Sequence, residues 1–145
     1  MARVRIELPD HLPFRTEIEV RVTDLNYGNH LGNAALLGIL HEARVRFLAA
    51  HDMAENDCDG KPLVMADAAI SYRAEGFLGD RLAVEVGIAD LSRVGCDLVY
   101  RVVRIGDSAL IAEAKTGIVF LDPATRRPSA VPEGIVGLTR ISGQE

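Results

Sequence analysis

The chain has 145 residues, which fits one domain able to bury a core without disulfide or metal staples. Its 21 acidic residues outnumber its 16 basic ones, the net charge is −5 and Trp is absent, whereas a nucleic-acid binder calls for a basic patch with stacking rings. No apolar run reaches the ~18 residues that cross a bilayer, and Cys58 and Cys96 have no Cys-x-x-Cys or Cys/His spacing, so two free thiols are expected rather than a metal site or a disulfide.

Residues 1–15 mix charge with Pro9 and Pro13 and read as an irregular arm. Charge begins at the third residue, which lacks the apolar core of a secretory signal, so the expected location is the cytoplasm. Thr16 to Val22 alternates, with Ile18, Val20 and Val22 on one face against Glu17, Glu19 and Arg21, the pattern of a half-buried strand. A polar loop follows from Asp24 to Asn33.

Asn33 to Ala50 is the longest helical pattern in the chain. Leu36, Ile39, Leu40, Ala43, Phe47 and Ala50 recur at three- and four-residue steps. Asn33 suits the N-cap. The first two turns are apolar all round and so are expected to be buried on most sides. His41, Glu42, Arg44 and Arg46 appear only afterwards, where the helix should reach solvent.

A polar connection over 51–62 leads to strands. Pro62 to Tyr72 is mostly apolar, with Asp67 expected on an outward-facing sheet edge. Arg81 to Leu91 alternates after a bend at Gly76 to Asp80. Cys96 to Ile105 and Ala109 to Leu121 flank Gly106-Asp107-Ser108, a hairpin signal. The tail from Val131 to Ile141 is weakly patterned. One strand, one long helix and about four more strands predict an α+β fold, with an antiparallel sheet curled around the helix in a single domain spanning 1–145.

These residues resemble the hotdog-fold acyl-CoA thioesterases, in the branch that includes 4-hydroxybenzoyl-CoA thioesterase. That branch shows a loop of the form D-x-D-x-x-G-H-x-N-N followed by an apolar helix ending in E-x-A-R. Here it reads Asp24-Leu-Asn26-Tyr-Gly28-Asn29-His30-Leu-Gly32-Asn33, then Glu42-Ala-Arg44. Ile70-Ser-Tyr-Arg73, Gly79-Asp-Arg-Leu82 and Val119-Phe-Leu-Asp122 continue the likeness, which covers roughly residues 15–135. The resemblance implies a sheet wrapped around one helix, a homodimer or homotetramer with its site at the subunit interface, and an acyl-CoA or acyl-carrier thioester as the partner. Coenzyme A would enter as part of the substrate, with no other cofactor and no metal.

Asn26 stands where the resemblance places the loop's second Asp, the usual base or nucleophile. An amide neither takes a proton at neutral pH nor attacks well. The base is therefore expected elsewhere: at Glu42, the first acid on the helix, or at His30, with Asn26 positioning. Glu42 could equally pair with Arg46 at i,i+4, and His30 could simply fix the turn. Asp24 is expected to hold the loop. Gly32 and Asn33 would open the helix N-terminus to the thioester oxygen, and Arg73 and Arg93 would meet CoA phosphates. The function expected is thioester hydrolysis, against a non-catalytic acyl-CoA or acyl-carrier binder, or a hydratase or dehydratase on the same fold.

Overall fold

The computed structural model describes residues 3–142. Strand β1 (Phe14–Glu19) leads to α1 (Asn33–Ala49), then β2 (Leu63–Tyr72), β3 (Arg81–Ala89), β4 (Gly95–Arg104), β5 (Leu110–Phe120) and α2 (Glu133–Ser142). The strands form one antiparallel sheet in the order β1-β3-β4-β5-β2. Alternation along β3 to β5 sends Leu82, Val84, Val86, Leu98, Tyr100, Val102, Ala112 and Ala114 to one face. There they bury α1 through Leu36, Ile39, Leu40, Ala43, Phe47 and Leu48. Each such large side chain contributes about 1.5–3 kcal/mol of burial. This is the α+β hotdog arrangement expected, a five-stranded sheet around one long helix.

The hairpin between β4 and β5 forms at Gly106 to Ser108, with Gly106 at φ 117° and Ser108 at φ 58°. Asp67 sits at a bulge on edge strand β2, exposed, paired with Lys115 Nζ at 2.7 Å and accepting from the Gly117 amide at 3.0 Å. Both cysteines are free and buried.

Five local expectations change. β1 begins at Phe14, inside the stretch read as an irregular arm, and ends at Glu19. Val22 then enters a single 3-10 turn, Val22–Asp24, so its side chain is exposed instead of continuing the face of Ile18 and Val20. Asn33 is the first helical residue and Gly32 the cap, because the Gly32 amide is held by the Asp24 carbonyl and the chain turns into the helix one residue earlier. The start of α1 is not buried on most sides: Ala34, Leu37 and Gly38 are exposed, Leu37 by 39%, since one sheet covers one face of a helix. The weakly patterned tail forms α2, whose Gly134 amide is capped by Asp59 Oδ2 at 3.0 Å and whose Ile135 plugs the core. A cap supplied from a distant loop leaves no local signal.

Candidate active site

The loop from Asp24 to Asn33 is tied down by its own polar groups. Asp24 is buried and accepts from the Arg21 amide at 2.9 Å. Asn26 Oδ1 accepts from the amides of Gly28 at 2.9 Å and His30 at 3.1 Å, while the Asn26 amide donates to the His30 carbonyl at 2.8 Å. An Asn side chain that satisfies two amides of a tight turn is a standard loop lock. Asn29 takes the left-handed backbone, φ 63°, that the reversal requires.

The loop opens on a cleft of about 340 Å³ lined by Asn26, His30, Leu31, Gly32, Asn33, Leu36, Tyr72, Arg73, Ala74, Glu75, Gly76 and Ile111. Leu31, Leu36 and Ile111 make it partly apolar. No side chain caps α1 here, so the first N–H groups of the helix, next to the cleft-lining Gly32 and Asn33, are left unclaimed by a side-chain cap. Those N–H groups and the helix dipole favour developing negative charge at this point. The Tyr72 hydroxyl donates to the Asn33 carbonyl at 2.9 Å and anchors β2 to the first turn. Burial pushes the Tyr72 phenol up from its ordinary value, so it stays protonated.

The opposite wall is the loop between β2 and β3, held by Arg104. Its Nη1 donates to the Glu75 carbonyl at 2.9 Å and to Asp80 Oδ2 at 3.0 Å, and its fork grips Asp107 at 3.1 Å on both arms. This wall joins the first through Leu31, whose amide donates to the Gly76 carbonyl at 2.8 Å. His30 lies between the two walls. Its ring is 5.3 Å from the Phe77 ring, and its Nδ1 is 3.1 Å from Glu75 Oε2.

The structure thus gathers Asn26, His30, Gly32, Asn33 and Arg73 in one cleft, with Asp24 beneath as a support. Arg73 spends its guanidinium on Glu113 at 2.9 Å. Glu42 lies outside the cleft, exposed, 2.8 Å from Arg46, which also reaches Thr16 and Glu17 on β1. The i,i+4 pairing is the arrangement found. Arg93 sits in the β3–β4 connection, at the far end of those strands from the cleft. Arg44 is buried and committed to Glu55 at 2.7 Å and Tyr100 at 3.3 Å, so it is closed to a phosphate. Glu75, Gly76 and Arg104 escaped the sequence reading. Only the Gly76 bend marked their region, and nothing local says that it docks on the Asp24–Asn33 loop.

Among the described residues, no three His, Cys, Asp or Glu side chains cluster as a metal would need. No helix among them is long and apolar enough to cross a membrane.

An uncapped helix N-terminus, a polar loop in front of it and a sheet around it form the cleft of a hotdog fold. Residues 20–137 match the thioesterase-like superfamily, and the chain belongs to that family. It is 24% identical over 125 residues to the Escherichia coli acyl-CoA thioester hydrolase YbgC, covering 85% of this chain and 92% of the relative. It is 27% identical over 121 residues to the 1,4-dihydroxy-2-naphthoyl-CoA hydrolase of Rippkaea orientalis, covering 81% and 88%. Among solved structures it resembles a Thermus thermophilus thioesterase complexed with coenzyme A and zinc, at TM-score 0.75 and 26% identity over 90% of this chain and 99% of that one.

Proposed function

We propose that this protein hydrolyses an acyl-CoA thioester to the free acid and CoA at the cleft in front of α1. The carrying observation is the convergence of the uncapped α1 N-terminus with Asn26 and His30 on one partly apolar cleft. The thioester oxygen sits at the helix N–H groups, which stabilise the tetrahedral oxyanion. His30 takes a proton from water as the oxygen attacks the carbonyl carbon. The C–S bond then breaks, and the thiolate leaves with that proton. Asn26 holds the loop with its carbonyl and offers its NH₂ to the water or the acyl oxygen. Gly32 and Asn33 let the substrate approach the backbone. Glu42 stays with Arg46 on the helix flank. The reaction consumes only water, and CoA enters as part of the substrate.

The site is completed by a second copy of the chain. Leu37, Gly38, His41 and Met65 line a shallow groove beside edge strand β2, and Leu37 and Met65 are exposed. A helix face this apolar beside an unpaired sheet edge fits the homodimer or homotetramer of the resemblance. CoA, the partner of the Thermus relative, is the expected thiol half, and an acyl carrier protein is the rival.

The test is release of free thiol from a panel of aryl, short and long acyl-CoAs. Release from one of them, lost in His30→Ala, supports the reading. Turnover unchanged in His30→Ala would remove the base assignment. The position of Asn26 favours a second reading, a non-catalytic acyl-CoA binder. It predicts that acyl-CoAs raise the melting temperature with no thiol release.

A further inference from the structure

The loop lacks the carboxylate expected at position 26, yet a carboxylate is present beside His30 from another part of the chain. Its Oε2 belongs to Glu75, in the β2–β3 loop, 3.1 Å from His30 Nδ1. That nitrogen is shielded from solvent and makes no hydrogen bond among the described residues. Two atoms at contact distance that lack hydrogen-bond alignment fit a catalytic pair that is loose in the free protein and tightens further with substrate in place.

The other acids around the cleft are taken. Asp24 serves Arg21, Glu113 serves Arg73, and Asp80 serves Arg104 and the Phe77 amide. Glu75 is the one whose carboxylate faces His30, and Arg104 fixes its backbone from below at 2.9 Å. Phe77 supports the His30 ring, and the bond from Leu31 to Gly76 holds the two loops in register.

We infer that Glu75 is the positioning carboxylate of His30, replacing from the β2–β3 loop the acid that the Asp24–Asn33 loop lacks. The inference rests on the proposed thioesterase reading. Glu75 accepts the Nδ1–H of His30, which leaves the Nε2 lone pair free to take the proton of the attacking water. As that proton arrives, the carboxylate stabilises the imidazolium. The proton then passes from Nε2 to the departing thiolate, and Glu75 never becomes protonated. Without that carboxylate the neutral ring reverts to the Nε2–H form that an unpartnered histidine prefers.

Three variants test this: Glu75→Ala, His30→Ala and the double variant, assayed on the acyl-CoA that wild type turns over fastest. Glu75→Ala is expected to lower kcat at least about tenfold with KM within about twofold. The double variant is expected to match His30→Ala alone, because Glu75 acts only through His30. In ¹⁵N spectra at pH 8.5, His30 is expected as the Nδ1–H tautomer in wild type and mainly Nε2–H in Glu75→Ala. Additive losses, or a kcat unchanged in Glu75→Ala while His30→Ala is dead, would overturn the role of Glu75 and leave His30 as base. Full activity in His30→Ala would overturn both. The tautomer measurement needs no substrate, so an Nε2–H tautomer in wild type overturns the inference whatever the activity.

Discussion

The amide of Leu31 donates to the carbonyl of Gly76 at 2.8 Å. This bond is the seam between two loops whose joined residues lie 45 positions apart in the sequence. One brings Asn26 and His30, and the other brings Glu75. A side chain at position 76 would place its Cβ 3.1 Å from the Leu31 side chain, so the seam needs glycine or a neighbour that yields. In Gly76→Ala the loops move apart by a few tenths of an ångström. The expected cost is about 1 kcal/mol in stability and about 3- to 10-fold in kcat/KM, since small misplacements are felt in the chemistry. Kinetics with a thermal melt checks it, and wild-type kcat/KM in Gly76→Ala would show that the seam does not set the site.

Asn26 acts on the fold through its side-chain oxygen, which holds the amides of Gly28 and His30. Asn26→Asp keeps that acceptor and Asn26→Ala does not. The Ala variant is expected to lose about 1 kcal/mol, a fall of a few degrees in melting temperature, while the Asp variant stays near wild type. Equal melting temperatures in all three would mean that water replaces the side chain without cost.

Glu55 gives the clearest pH dependence. Partial burial pushes its carboxyl up, but hydrogen bonds from Arg44 and His41 outweigh that and hold it below the ordinary value. A carboxylate held low in the fold stabilises fully above the ordinary value of 4.5, and the stabilisation is lost as pH falls through the lower folded value. Glu55→Gln is therefore expected to cost about 1–2 kcal/mol at neutral pH. The gap to wild type should close below pH 4.5, read from urea midpoints across pH. A gap that does not change with pH would mean that the Glu55 charge contributes nothing.

Burial pushes the Cys58 thiol up to about 11 and the Cys96 thiol up to about 12. At pH 8 neither forms thiolate, and both lie inside the core. A disulfide reagent is expected to label them only as fast as the protein opens, and labelling should accelerate with urea. Rapid labelling of the native protein would contradict the burial.

Much of the fold was legible because side-chain periods report exposure directly. The period of two marked β3, and apolar runs flanking the Gly106–Ser108 link marked β4 and β5, each to within a residue or two at each end, while the three- and four-residue steps marked α1. Val22 was misread for a local reason. Alternation runs on in the letters, but the chain leaves the strand at Val20, whose backbone pairs with Gly79 and Asp80. The tail was misread because the cap of α2 comes from Asp59, far away in sequence.

The sequence alone determined α1, the strands β2 to β5, the polar loop that carries Asn26 and His30, and the resemblance that fits the family the chain belongs to. These depend on neighbours within a few residues, whose spacing is printed in the chain. The tertiary structure decided the strand order β1-β3-β4-β5-β2, the use of Glu42 as a partner for Arg46, and the approach of Glu75 to His30 at 3.1 Å. Each of these follows from which surfaces the curved sheet brings together. A loop held by Arg104 on one side and by Leu31 on the other has no signature until both partners are in place. The missing acid of the Asp24–Asn33 loop could be read from the letters, but the acid that stands beside His30 could not.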